Sequence, residues 1–164
     1  MSSAIDELLS NARAHEADFE GPRAVIPSKH VAIVTCMDSR IDNFRIFGLE
    51  SGEAHILRNA GGLVTDDMLR SLVLSQRLLQ TREVILMHHT NCGLHGTDEA
   101  GLRARIAAET GEEPPYAFGA FQDIDEAVRR AIARVREHPF LPHRESVRGF
   151  VYEVETGHLR EVTL

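Results

Sequence analysis

The chain alternates two kinds of segment, and that alternation limits its fold more than any other feature. "HVAIVTC" (30–36), "AHILRN" (54–59) and "EVILMHHT" (83–90) are short apolar runs. Runs of this length read as strands, and the β-branched first run is continuous enough to be buried on both faces. Helical patterns separate and follow them. Residues 42–48 form a short helix closed by Gly48. Thr65 caps a helix over 66–80, with Asp66 and Asp67 placed against its N-terminal dipole. A looser helix spans 97–109. Ile124, Ala127, Val128, Ala131, Ile132 and Val135 then keep helical spacing until Pro139 stops it. An amphipathic helix over 3–17 precedes all of this, and the tail "RGFVYEVETGHLREV" reads as strand, Thr-Gly turn and strand.

Strand, helix, strand, helix, strand requires crossovers, and crossovers give a parallel sheet. The expected fold is therefore α/β: one domain over residues 1–164, with a mostly parallel sheet in the order 2-1-3-4 and an antiparallel C-terminal strand. Helices flank the sheet and one opens the chain. No repeat or linker divides these 164 residues.

Charge and termini narrow the function classes. A formal net charge of −7 opposes nucleic acid and anionic lipid as partners. No stretch approaches the roughly 20 apolar residues that span a bilayer. The start "MSSAIDELLSNARAHEADF" lacks a basic segment and an apolar centre, so a cytoplasmic protein is expected. In that compartment the two cysteines, Cys36 and Cys92, are not expected to form a disulfide.

In parallel α/β sheets, ligands gather at the carboxyl ends of the strands, near the point where strand order reverses. The unusual chemistry of this sequence falls there. Cys36 ends the first strand, Arg58 and Asn59 end the second, and His88, His89 and Cys92 end the third. With strands one and three adjacent, Cys36 and the His89-x-x-Cys92 pair can converge on one small ion. Two thiolates and an imidazole suit zinc. His88 points to the opposite face of a pleated strand, which leaves His89 as the ligand by spacing. The competing reading is that both cysteines are simply small buried hydrophobes.

"CMDSR" (36–40), "RNAGG" (58–62) and "HTNC" (89–92), in this order, resemble the β-class carbonic anhydrases, in particular their short bacterial branch. The likeness runs from about Ser28 to the C-terminal "RGFVYEV". It implies zinc held by Cys36, His89 and Cys92, with Asp38 and Arg40 as the catalytic pair. The fourth metal position would then take either water or the Asp38 carboxylate, the latter in a closed form only. Arg40 is a planar fork that can grip Asp38 at two points and keep it off the metal. The resemblance implies reversible hydration of carbon dioxide to bicarbonate by metal-activated water. Two thiolates weaken the metal as a Lewis acid, so the rate should rise with pH into the alkaline range.

Three further expectations accompany this reading. Gly61 and Gly62 either just turn the chain or bring backbone N–H groups to the substrate oxygens. Arg58 is expected to be structural, paired with an acid at a subunit contact. The resemblance implies a homodimer or a pair of dimers with the site near the subunit boundary, and the apolar faces of the first helix and of 69–79 agree. Hydrolysis of carbonyl sulfide, or of carbon disulfide, on the same metal is the nearest alternative activity. A non-catalytic zinc-stabilised binding or sensing domain is the alternative of another class.

Overall fold

The computed structural model describes residues 3–164. Its elements run α1 (Ala4–Ala17), β1 (Val31–Cys36), α2 (Asn43–Phe47), β2 (Ala54–Asn59), α3 (Asp66–Arg77), β3 (Glu83–His89), α4 (Glu99–Thr110), α5 (Ile124–Glu137), β4 (Val147–Tyr152) and β5 (Leu159–Val162). The five strands form one sheet in the order β2-β1-β3-β4-β5. The first three pairings in that order are parallel, and only β4–β5 is antiparallel. This is the expected topology, with the C-terminal strand at one edge.

Local chemistry explains the boundaries. The side chains of Asp42, Thr65, Asp98 and Asp123 accept backbone N–H bonds at the starts of α2, α3, α4 and α5. Gly48 and Gly111 close α2 and α4 in the left-handed conformation that glycine adopts without strain. Helix α3 stops at Arg77 rather than near residue 80. The chain leaves it there because Gln80 takes a positive φ of 61° and the Thr81 N–H returns to the Ser75 carbonyl. "AGG" becomes a single 3₁₀ turn, Ala60–Gly62, rather than a plain reversal.

Strand alternation sorts the core. Ala32, Val34, Val84, Leu86, Val147 and Val151 pack with Leu69, Leu72, Val128, Ile132 and Val135 of α3 and α5. The opposite face carries Ile85, Phe150 and Tyr152, which remain half-buried. Strand β1 is buried from Ala32 to Cys36, as its apolar run requires. Helix α1 buries none of its residues: Ile5, Leu8 and Leu9 are 68%, 66% and 52% exposed. No described helix is long and apolar enough to cross a membrane.

Candidate metal centre

The register of the sheet sets the site. Val34 of β1 lies beside Leu57 of β2 and Leu86 of β3, so all three strands end at the same edge. Cys36 is paired with Asn59 there, and β3 ends at His89. One ligand atom each from Cys36, His89 and Cys92 lies within 4.8 Å of the other two. All three residues are buried, both thiols are free, and no other such group of metal-ligating side chains occurs among the described residues.

The donor set fits zinc. His89 Nδ1 lies 2.8 Å from the Thr90 carbonyl, which accepts its proton and leaves Nε2 as the lone-pair nitrogen. That Nε2 is buried with no hydrogen-bond partner, the condition of a ligand atom whose partner is a metal rather than a polar group. Burial holds His89 below its ordinary range, so the imidazole is neutral, as ligation requires. Burial pushes the Cys92 thiol up, opposed by the N–H groups of Leu94 and His95 and reinforced by the facing Cys36. A divalent cation would reverse that balance by stabilising both thiolates. The Gly61 N–H donates to Cys36 Sγ at 3.3 Å, a further stabilisation of sulfur charge.

Asp38 and Arg40 stand beside this cluster in the expected pairing. Arg40 Nε donates to Asp38 Oδ1 at 2.9 Å and Nη2 to Oδ2 at 2.7 Å, while the Arg40 backbone N–H also reaches Oδ1 at 2.9 Å. These bonds hold the Asp38 carboxyl well below the usual carboxylate range. Asp38 Oδ2 is 3.9 Å from His89 Nε2, so the carboxylate sits next to the metal position with both oxygens gripped by the fork.

The glycine turn is required by close approach. A side chain at Gly62 would place a Cβ 2.9 Å from the Cys36 nitrogen and the Thr35 carbonyl carbon, and Gly62 itself has φ +66°. Asn59 braces the turn, its side chain bonding both the N–H and the carbonyl of Leu63 at 2.8 Å.

Arg58 is structural, as expected, and its partners within the chain are carbonyl groups. Its Nε donates to the Cys36 carbonyl at 2.9 Å and its Nη2 to the Asp38 carbonyl at 2.6 Å. It clamps the loop that carries both residues, because β2 runs beside β1 and delivers a long cation to the loop following β1. His88 faces away from the cluster, as strand alternation predicted. It is 1% exposed, both ring nitrogens lack partners, and it lines a separate cleft with Thr65, Phe121 and Arg130.

Sequence reasoning missed Glu155, in the turn between β4 and β5. Its carboxylate accepts from Thr90 Oγ1 at 2.7 Å and from Asn91 Nδ2. Nothing in the sequence links positions so far apart, since only the pairing of β3 with β4 brings that turn to the site.

The chain is similar to known proteins over nearly its whole length. The carbonic anhydrase family model matches residues 31–108. The chain is 47% identical over 161 residues to Beta-carbonic anhydrase 1 of Mycobacterium tuberculosis, covering 98% of this chain and 99% of that protein. It is 32% identical to a carbon disulfide hydrolase of Acidianus sp., covering 98% and 90%. The crystal structure of a carbonic anhydrase from Streptococcus mutans superposes with a TM-score of 0.92 at 38% identity, covering 99% of both chains.

Proposed function

The chain belongs to the β-carbonic anhydrase family, and we propose that Asp38 and Arg40 are its catalytic pair beside a zinc ion held by Cys36, His89 and Cys92. Its reaction is the reversible hydration of carbon dioxide to bicarbonate and a proton. When bound, zinc supplies the Lewis acidity that makes water a nucleophile.

The observation that carries the residue assignment is the two-point grip of Arg40 on Asp38 beside three convergent ligands. Arg40 keeps the carboxylate ionised and away from the metal position. Asp38 Oδ2 can then accept a proton-sharing bond from the attacking water and aim the water's lone pair at the substrate carbon. Should Arg40 release it, Asp38 would complete four protein ligands and close the site. Gly61 and Gly62 are assigned to the substrate side as backbone without side chains. The Gly61 N–H is directed at Cys36 Sγ, so its contribution runs through the charge on that sulfur.

We assign the working form to a homodimer or a pair of dimers. The exposed stripe of α1 and the half-buried sheet face bearing Ile85 and Phe150 are apolar surfaces that a second copy could cover. Free, buried Cys36 and Cys92 suit a reducing, cytoplasmic setting.

Hydrolysis of carbon disulfide is a second reading, favoured by the relative at 32% identity that carries that name. Carbonyl sulfide is a third linear substrate of the same shape. Stopped-flow hydration assays with parallel zinc analysis, run beside sulfide-release assays on both sulfur substrates, decide among them. The expected outcome is fast hydration, one zinc per chain and little sulfide. Because two thiolates weaken the Lewis acid, kcat should climb through the alkaline range. Sulfide release outpacing hydration would transfer the assignment. A zinc-containing protein without turnover on any of the three would make the site structural.

A further inference from the structure

We propose that Glu155 is a positioning residue for the metal centre: it holds the Thr90–Asn91 turn, whose two carbonyl groups orient His89 and Arg40. The proposal rests on the assignment of Cys36, His89 and Cys92 as ligands and of Asp38 and Arg40 as the catalytic pair.

Four contacts form the chain of argument. The Thr90 carbonyl accepts from His89 Nδ1 at 2.8 Å, which fixes the ring and leaves Nε2 for the metal. The next carbonyl, of Asn91, accepts from Arg40 Nη2 at 2.9 Å, the same nitrogen that grips Asp38 Oδ2. The side chains of these two turn residues both donate to one carboxylate, Thr90 Oγ1 at 2.7 Å and Asn91 Nδ2 at the other oxygen of Glu155. Thr90 Oγ1 also accepts the Val154 N–H at 3.0 Å, which ties the turn to the loop that bears Glu155.

The turn needs such a hold. Asn91 has φ 52°, a left-handed conformation that asparagine tolerates but does not prefer. A residue so placed is fixed only when its surroundings over-determine it, and here one carboxylate takes both neighbouring donors. Rotation of the two peptide groups would loosen the imidazole and the guanidinium together. Glu155 thus acts on ligand geometry and on the catalytic pair without touching the Cys36, His89, Cys92 cluster. Partners in this outer position govern metal retention and rate in other metal sites, by roughly 10- to 100-fold.

The charge pattern supplies a specific test. Asn91→Asp would face one carboxylate with another, whereas adding Glu155→Gln to it exchanges amide and carboxylate and restores a hydrogen bond between the two positions. Zinc-loaded parent, Asn91→Asp, Glu155→Gln and the double variant are compared for kcat, KM, thermal midpoint and rate of zinc loss to a chelator. Each single variant is expected to lose about tenfold in kcat with KM little changed, and to release zinc faster. The double variant should recover to within about threefold of the parent in both readouts.

Single variants within twofold of the parent in kcat and zinc loss would overturn the proposal. So would a double variant carrying the summed loss, or a fall in thermal midpoint with the other readouts unchanged. Failure of the anhydrase reading is separately visible, because it appears in the parent's own hydration rate, while zinc loss still reports on Glu155.

Discussion

Asp38 accepts three hydrogen bonds from a single residue, and that economy makes Arg40 hard to replace. A lysine carries the charge but lacks the planar fork, so Arg40→Lys should lower kcat by about tenfold or more while zinc stays at one per chain. Asp38→Ala should cost on the order of 10²-fold, again with zinc retained. Stopped-flow hydration and metal analysis on the same samples check both. Loss of zinc with Asp38 would instead make the carboxylate a ligand. His88 gives a residue-scale prediction of another kind. Burial, with help from His89 and Arg130, pushes it down to about 4 from an ordinary value of 6.5. The unfolded chain therefore binds a proton that the folded one refuses between these two values, and stability falls as pH drops through that window. From pH 7 to pH 5 the loss from this residue is roughly 2 kcal/mol. Denaturant unfolding of His88→Leu beside the parent at the two pH values should show the variant losing that much less.

At the scale of elements, the decisive piece is the 3₁₀ turn after β2. A Cβ at Gly62 would meet backbone atoms of Thr35 and Cys36, which cannot yield without moving the strand that carries Cys36. At Gly61 the first obstacle is the end of the Leu94 side chain, which can rotate away. Both glycines have positive φ, so either substitution is strained. Gly62→Ala should nevertheless cost more, about 3 kcal/mol, and weaken zinc retention, whereas Gly61→Ala should cost less. Thermal unfolding with and without chelator distinguishes the two. The sequence shows that this turn is a glycine pair, but the reason is a register in which Cys36 and Asn59 pair across adjacent strands.

For the molecule as a whole, the exposed apolar surface of α1 is the feature to test. The helix α1 stripe of Ile5, Leu8 and Leu9 has nothing to pack on within its own chain, although its 3.6-residue pattern is clear. Replacing Leu8 by glutamate should shift the assembly toward monomer in light scattering and leave the circular dichroism of the sheet unchanged. An unchanged mass would place the subunit contact elsewhere. Such a variant also asks whether the metal centre works in a lone chain, since hydration can be measured on the same monomeric fraction.

The sequence by itself determined the alternation of strands and helices, the Thr65 cap, the Gly48 stop and the candidate ligands Cys36, His89 and Cys92, while the Asp38–Arg40 pair followed from the family resemblance. These depend on periodicity, capping chemistry and short spacings, all of which are local. Only the tertiary structure decided what Arg58 and Glu155 do. Within the chain Arg58 finds two carbonyl groups because β2 lies beside β1, and Glu155 reaches Thr90 and Asn91 because β4 lies beside β3. A charged side chain chooses its partner by distance in space. Along this chain those partners stand about 20 and 65 residues away, where no local pattern can register them.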